Sequence, residues 1–260
     1  MRKFNFWLAL GSITLAFLLF SGCQSSFRHF GEFSVKRLKN GCKVVTDGVG
    51  RRLLLVPRGR EAPGEYKEIQ RVEIPVERVV TYSGMDAARL ETLGVVDSIA
   101  GVVNQKEDWY IPEIREGMEE GRIVYLGEYT SIDYERLRVI NPDVVFTYDE
   151  GVIPKLKELN IPCVITSTKL AKDLPAHIGF IQFLSTFYNE EEKAKAFVEN
   201  QFKKIDEITA KRSETKKGLK TVWGDIHEKK VLVEPGNSWP AQLVEKAGGS
   251  YLFHDLQGAA

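Results

Sequence analysis

Hydrophobic positions fall into distinct regimes along the chain. Residues 6–20 are almost wholly apolar. Between 33 and 74 short apolar stretches are broken by polar residues: Cys42-Lys43-Val44-Val45-Thr46, the turn Asp47-Gly48-Val49-Gly50, then Leu53-Leu54-Leu55-Val56. Side chains of a strand point alternately to its two faces, so this pattern predicts a β-hairpin. Residues 58–64, rich in glycine, proline and charge, read as a loop.

From Arg78 strands and helices alternate. Val79-Val80-Thr81-Tyr82 predicts a short buried strand, followed by a helix over 85–93 with Gly94 as its C-cap. Further strands are predicted at 98–103, 123–126, 143–147 and 161–166, with helical patterns at 111–118, 134–140 and 152–159 between them. Ser131 or Asp133 is placed to cap the helix of Tyr134, Leu137 and Ile140, and Asn141-Pro142 stops it. Strands apolar on both faces and separated by helices predict a largely parallel sheet covered on both sides.

Strand signals then cease from about 173 to 212. Phe180, Phe183, Leu184 and Phe187 make one helical face, and Ala194, Phe197, Val198, Phe202, Ile205 and Ile208 make the stripe of a second helix. Glu190-Glu191-Glu192 stands where that helix begins, and its acids favour the helix dipole. A helix of that length between two α/β segments reads as a strut. Strand signals resume with Thr221-Val222-Trp223 and Val231-Leu232-Val233, and a helix follows near 242–246. Two strands and one helix bury too small a core to match the first lobe, so the chain is expected to be a truncated copy of a longer protein. The expected fold is α/β: two doubly wound α/β lobes joined by a long rigid helix, the second lobe truncated. The expected division is a signal peptide at 1–22, a lipid-anchored tether at 23–32 and a β-hairpin extension at 33–75. The N-terminal α/β lobe is then 76–172, the helical strut 173–215 and the partial C-terminal lobe 216–260.

The N-terminal apolar run changes the picture from fold to compartment. Arg2 and Lys3 precede it, and Ser21 and Gly22 end it at Cys23. That is the layout of a secretory signal, and the run falls short of the roughly 20 residues needed to span a bilayer. Phe20-Ser21-Gly22-Cys23 resembles the bacterial lipobox, in which the cysteine is acylated and becomes the new N-terminus. One acyl chain holds a membrane only marginally, so stable anchoring implies several chains on Cys23. An exported, membrane-anchored lipoprotein of periplasm or cell surface is expected.

Composition narrows the function classes. Lysine plus arginine and aspartate plus glutamate number 36 each, so no global field recruits nucleic acid. Cys42 and Cys163 stand far apart, and Cys163 lies in an apolar strand where burial as a small hydrophobe is the expectation. The histidines, His29, His177, His227 and His254, form no close pair and no i, i+4 arrangement, so no metal site is expected. Tyr82-Ser83-Gly84 lacks the glycines of a nucleophile elbow, and Gly151 belongs to no phosphate-binding glycine run; no enzyme is expected.

Several segments together carry a resemblance. Arg78-Val79-Val80 followed by a helix and Leu93-Gly94-Val95 is similar to the opening of the class III periplasmic binding proteins, which serve ABC importers of iron–siderophores, haem and cobalamin. Leu126-Gly127, Asp133-Tyr134-Glu135-Arg136-Leu137 and Asn141-Pro142-Asp143-Val144-Val145 resemble that family's most recognisable stretch. Leu159-Asn160-Ile161-Pro162 resembles its next helix-to-strand step, and Pro235-Gly236-Asn237-Ser238-Trp239 with Ala247-Gly248-Gly249 its second lobe. Val45-Thr46-Asp47 and Gly50-Arg51 resemble its preceding hairpin. The likeness covers about 44–255.

The resemblance implies a ligand held between two lobes, outside the carboxyl ends of the strands. The candidate ligand-binding residues are therefore Tyr82, Ser83, Met85, Trp109, Tyr110, Tyr129, Tyr148 and Thr168, with Trp223 and Trp239 from the second lobe; Gln105, Thr130 and Asp149 stand beside them. Rigid aromatic walls with a few polar contacts suit a large planar or chelated ligand. The same aromatics would equally serve to pack helices on the sheet. Glu135 and Glu245 match the acids that dock such proteins on the arginines of an ABC permease. No cofactor is implied; the implied ligand is an iron complex (ferric siderophore or haem), with cobalamin or another corrinoid as the alternative. The expected partners are an ABC permease and a membrane reached through the lipid anchor, and the protein is expected to be a monomer. A surface enzyme or sensor on the same two lobes is the alternative of a different class.

Overall fold

The computed structural model describes residues 27–30, 32–166, 173–211 and 218–258. The signal peptide, Cys23 and Thr168 lie outside the described residues. Among the described residues no helix is long and apolar enough to cross a membrane.

The predicted hairpin is the centre of a larger sheet. Strands β1 (Phe27–Phe30), β2 (Phe33–Arg37), β3 (Lys43–Thr46) and β4 (Arg52–Pro57) form an antiparallel meander, and β5 (Arg71–Ile74) joins β4 in parallel. Part of the expected tether at 23–32 is therefore strand β1. Both faces of this sheet are buried, which explains the unbroken Leu53-Leu54-Leu55-Val56. Leu53 and Leu55 join Phe33, Val35 and Val45 in the main core. Leu54 and Val56 join Cys42 and Val44 on the other face, where Tyr66 and Ile69 of the following loop cover them. The segment is thus part of the lobe's core rather than an extension from it.

Buried polar groups tie the sheet in place. Asp47 is fully buried; its carboxylate accepts from the backbone N–H of Val49, Arg51 and Ile165 and from the Arg51 guanidinium. Arg51 also donates to the Cys163 carbonyl at 3.0 Å and to its sulfur at 3.2 Å. Cys163 is buried and free, as is Cys42. At the other end of β3, the buried Lys43 ammonium donates to Glu191 Oε1 at 2.7 Å, to Asn189 Oδ1 and to the Thr186 carbonyl. Burial pushes that ammonium's pKa down against the opposing pull of Glu191.

The lobe itself follows the predicted rhythm. Strands β6 (Val79–Thr81), β7 (Ile99–Val102), β8 (Val124–Tyr125), β9 (Val144–Thr147) and β10 (Cys163–Ile165) are all parallel, in the order β10-β9-β6-β7-β8. The order reverses at β6, so the carboxyl ends of β6 and β9 flank a switch point. Helix α1 (Gly84–Leu93) starts on the Ser83 side chain and ends at left-handed Gly94. Helix α2 (Pro112–Glu119) leads to β8. Helix α3 (Tyr134–Ile140) is capped by Asp133 and ended by left-handed Asn141, which precedes Pro142. Helix α4 (Ile153–Glu158) completes the second layer, with Leu137, Ile140 and Leu156 packed on Val80 and Val145.

The predicted strut resolves into two helices with different roles. Helix α5 (Leu174–Ser185) is embedded: Phe180, Phe183 and Leu184 lie in the main core with Phe33 and Leu90. Helix α6 (Glu191–Ala210) is about 30 Å long at 1.5 Å per residue. Only Ala194 and Val198 on it are fully buried, and Ile208 is exposed. Beyond it β11 (Lys220–Thr221) pairs in parallel with β14 (Ser250–Tyr251), and β12 (Gly224–His227) with β13 (Lys230–Val233) as a hairpin. Helix α7 (Trp239–Lys246) packs Ala241 and Val244 against Tyr251. Leu219, Trp223, Val231 and Leu232 remain exposed there.

Candidate functional site

The carboxyl edge of the parallel sheet gathers most of the expected residues, for a topological reason. Every strand ends there, and each following loop carries an aromatic or polar side chain to it. Tyr82 follows β6 and Tyr148 follows β9, so the two flank the switch point. Tyr129 arrives from β8, on the far side of the sheet, because the loop after Leu126 doubles back. Gly127 makes that possible: it takes φ 92°, and a Cβ there would lie 2.5 Å from the Ser131 carbonyl oxygen. The Tyr129 and Tyr148 rings meet at 6.2 Å between centroids.

Tyr82 is buried, and its hydroxyl has no hydrogen-bond partner among the described residues. Burial, and then Tyr134, Asp149 and Tyr148, push its pKa up. The same cause raises Tyr134 and Tyr148. These phenols are therefore donors at neutral pH rather than phenolates.

A second cluster stands beside α1, α5 and α7. The His177 ring stacks on Trp239 at 4.0 Å and 10°, and Trp223 meets Trp239 edge-on at 5.9 Å. Gln242 Oε1 accepts from the Leu174 backbone N–H at 3.0 Å, so α5 and α7 are pinned at their first turns. Arg89 lies 4.9 Å from the Phe180 ring and pairs with buried Asp86 at 3.0 Å. Thr166 donates to the other Asp86 oxygen at 2.5 Å. Burial raises the Asp86 carboxyl, opposed by Arg89 and Thr166. Burial, aided by Arg89, brings His177 down to about 4, and its Nδ1 has no partner among the described residues.

Some expected residues have other tasks. Trp109 is only 4% exposed: its indole is part of the main core and donates to the Asn104 carbonyl at 3.2 Å. The apolar floor beneath the loop after β7 holds it there, so it is a packing residue and not a wall of the cleft. Ser83 spends its hydroxyl as the N-cap of α1. Met85 is half exposed at the start of the same helix, while Tyr110 projects almost completely into solvent. Gln105 donates to Glu128. His177, Asp86, Arg89, Thr166 and Tyr134 were not among the expected site residues. Glu135 on α3 and Glu245 on α7 are exposed. A hollow of about 720 Å³ adjoins Glu135, but it opens at the amino edge, between Arg78, Ala100, Arg122 and Val139.

The profile of a family described as periplasmic binding protein matches residues 79–259. The chain belongs to that family. Among curated relatives, an uncharacterized lipoprotein of Methanocaldococcus jannaschii is 27% identical over 234 residues, covering 83% of this chain and 56% of the relative. A vitamin B12-binding protein of Vibrio parahaemolyticus is 23% identical over 183 residues, covering 69% and 62%. The chain therefore spans less than two thirds of the length of either. A crystal structure of a possible iron-binding (periplasmic solute-binding) protein from Staphylococcus epidermidis superposes with a TM-score of 0.58 at 16% identity, covering 71% of this chain and 70% of that one. At that identity the likeness concerns the fold. The carboxyl edge carries the tyrosines, and the Trp223–Trp239–His177 cluster stands beside α5 and α7.

Proposed function

We propose that this family member is the capturing part of an exported, lipid-anchored solute-binding protein that takes up a metal chelate and presents it to an ABC permease. The ligand is an iron complex, siderophore or haem, or in the second reading a corrinoid. The observation that carries this is the meeting of the half-exposed Tyr129 and Tyr148 rings beside the switch point, with Tyr82 buried behind them. Among the described residues such an edge offers π-surface and hydrogen bonds and no nucleophile paired with a base, which suits holding a chelate. The second reading is favoured by the vitamin B12-binding relative. The lipobox-like segment ending at Cys23 and the lipoprotein relative support the anchor. Glu135 and Glu245, exposed on α3 and α7, are the proposed permease contacts.

The test is a titration of the mature protein with haem, a ferric hydroxamate, ferric citrate and cobalamin. Saturable binding of one chelate per chain, with the chelate recovered unchanged, is the expected result. A folded protein that binds none of them, or alters the one it binds, would overturn the proposal.

A further inference from the structure

The charge and hydrogen-bonding character of the carboxyl edge restrict the ligand further, on the footing that it captures a chelate. The buried Tyr82 hydroxyl is unpartnered, and those of Tyr129, Tyr134 and Tyr148 make no hydrogen bond to a described residue. Asp149 stands close to Tyr82, Tyr134 and Tyr148, and further carboxylates lie in the neighbouring loops. Asp149 and Glu150 follow β9, Glu128 precedes Tyr129, and Glu107 and Asp108 lie in the turn after β7. None of the five forms an ion pair with a described residue; Asp149 accepts from the Gly151 N–H, and Glu128 from Gln105 and Tyr125. Among the described residues the nearby cations are already engaged: Arg136 with Asp133, Lys155 with Glu158, and Lys106 with Glu119. Arg89 is inside, on Asp86.

We propose that this edge selects a chelate without net negative charge that presents amide groups, namely a neutral corrinoid or a cationic ferric trihydroxamate. An amide carbonyl accepts from the exposed Tyr129 and Tyr148 hydroxyls, and an amide N–H donates to Asp149, so both are satisfied by one kind of group. An anionic chelate meets the same phenols but sets its charge against the partly buried Asp149, where repulsion is less screened than in water. Specificity of this sort rests on a repulsive element as much as on an attractive one. Burial raises the pKa of Tyr148, so in the ligand-free edge its hydroxyl is a protonated hydrogen-bond donor.

Isothermal titration of the mature full-length protein with cyanocobalamin (neutral), ferrioxamine B (cationic), ferric citrate and haem (both anionic) tests this. One of the first two is expected to bind at least about tenfold more tightly than either anionic chelate, and which of them does so names the source. Asp149→Asn preserves the cap on Gly151 and is expected to narrow that preference by about fivefold, the effect of one partly exposed charge. Tighter binding of ferric citrate or haem would overturn the inference and leave the capture reading standing. Binding of none, by folded protein, would overturn the capture reading itself. An unchanged preference in Asp149→Asn would remove Asp149 as its cause and contradict the proposed selection.

Discussion

His177 lies flat on Trp239, their ring centroids 4.0 Å apart and their planes 10° from parallel. The stack joins α5, which is set in the core of the first lobe, to α7 of the C-terminal segment. The Leu174–Gln242 hydrogen bond runs beside it. Stacking on an indole is favourable for a neutral imidazole buried away from water, and here nothing among the described residues accepts from Nδ1 or replaces its hydration.

A pH dependence follows. Burial and Arg89 bring the folded pKa of His177 to about 4, below the roughly 6.5 of an unfolded histidine. The neutral ring is what the fold accommodates, so this group's contribution is intact above about pH 6.5 and is lost as pH falls toward 4. The loss at pH 5 is on the order of 1–2 kcal/mol. His177→Phe keeps a flat ring on Trp239 without a proton site. Urea unfolding of the variant at pH 7 and pH 5 is expected to show a smaller drop than wild type; equal drops would refute the assignment.

Trp109 gives a prediction opposite to the one its place in the sequence invites. It follows β7, as a cleft residue should, yet its indole is buried and hydrogen-bonded to Asn104. Trp109→Ala is therefore expected to cost about 3–5 kcal/mol of stability. Ligand affinity measured on the remaining folded protein should stay near wild type. A stable variant with weakened binding would return Trp109 to the site.

Asp47 holds the N-terminal sheet to β10 through Ile165 and Arg51. Asp47→Ala leaves the Arg51 guanidinium and buried N–H groups without their acceptor. A loss of about 3 kcal/mol is expected, seen as a lower urea midpoint. A change below 0.5 kcal/mol, roughly what an ordinary surface substitution gives, would show the seam to be held by apolar packing alone.

These cases mark how far the sequence was legible. The parallel lobe could be read because β6, β9 and β10 are apolar on both faces and their helices carry local caps at Ser83, Gly94, Asp133 and Asn141. The stretch from Phe33 to Ile74 reads as β-structure, but the parallel pairing of Arg71-Val72-Glu73-Ile74 with β4, across an intervening loop, leaves no local pattern. Period-2 alternation located β3 and β4 but did not reveal that both faces are covered. Tyr82, Tyr129 and Tyr148 could be assigned to the carboxyl edge of the sheet because that placement needs only the strand boundaries. His177 was passed over because an isolated histidine on an apolar helix carries no pattern, and its partner Trp239 comes from another element. Whether an aromatic after a strand turns out to solvent, like Tyr148, or in to the core, like Trp109, depends on packing that no local pattern records.

Reversing Glu135 and Glu245 to lysine tests delivery separately from capture. Both lie on exposed helix surface, so fold and ligand affinity should be unaffected. Exposed charge pairs act on encounter and specificity more than on affinity, so uptake by cells is expected to fall while chelate binding in vitro does not. Normal uptake with the double variant would exclude docking through this pair.

The central claim is that capture takes place at the switch point between β6 and β9, against Tyr129 and Tyr148. The most direct measurement is the dissociation constant of the tightest-binding chelate for wild type and for Tyr129→Ala/Tyr148→Ala. Both rings are about half exposed, at 50% and 43%, so the double variant should fold normally. The account predicts a loss of affinity of about tenfold or more. Unchanged affinity in the folded double variant would contradict it and place the ligand elsewhere on the molecule.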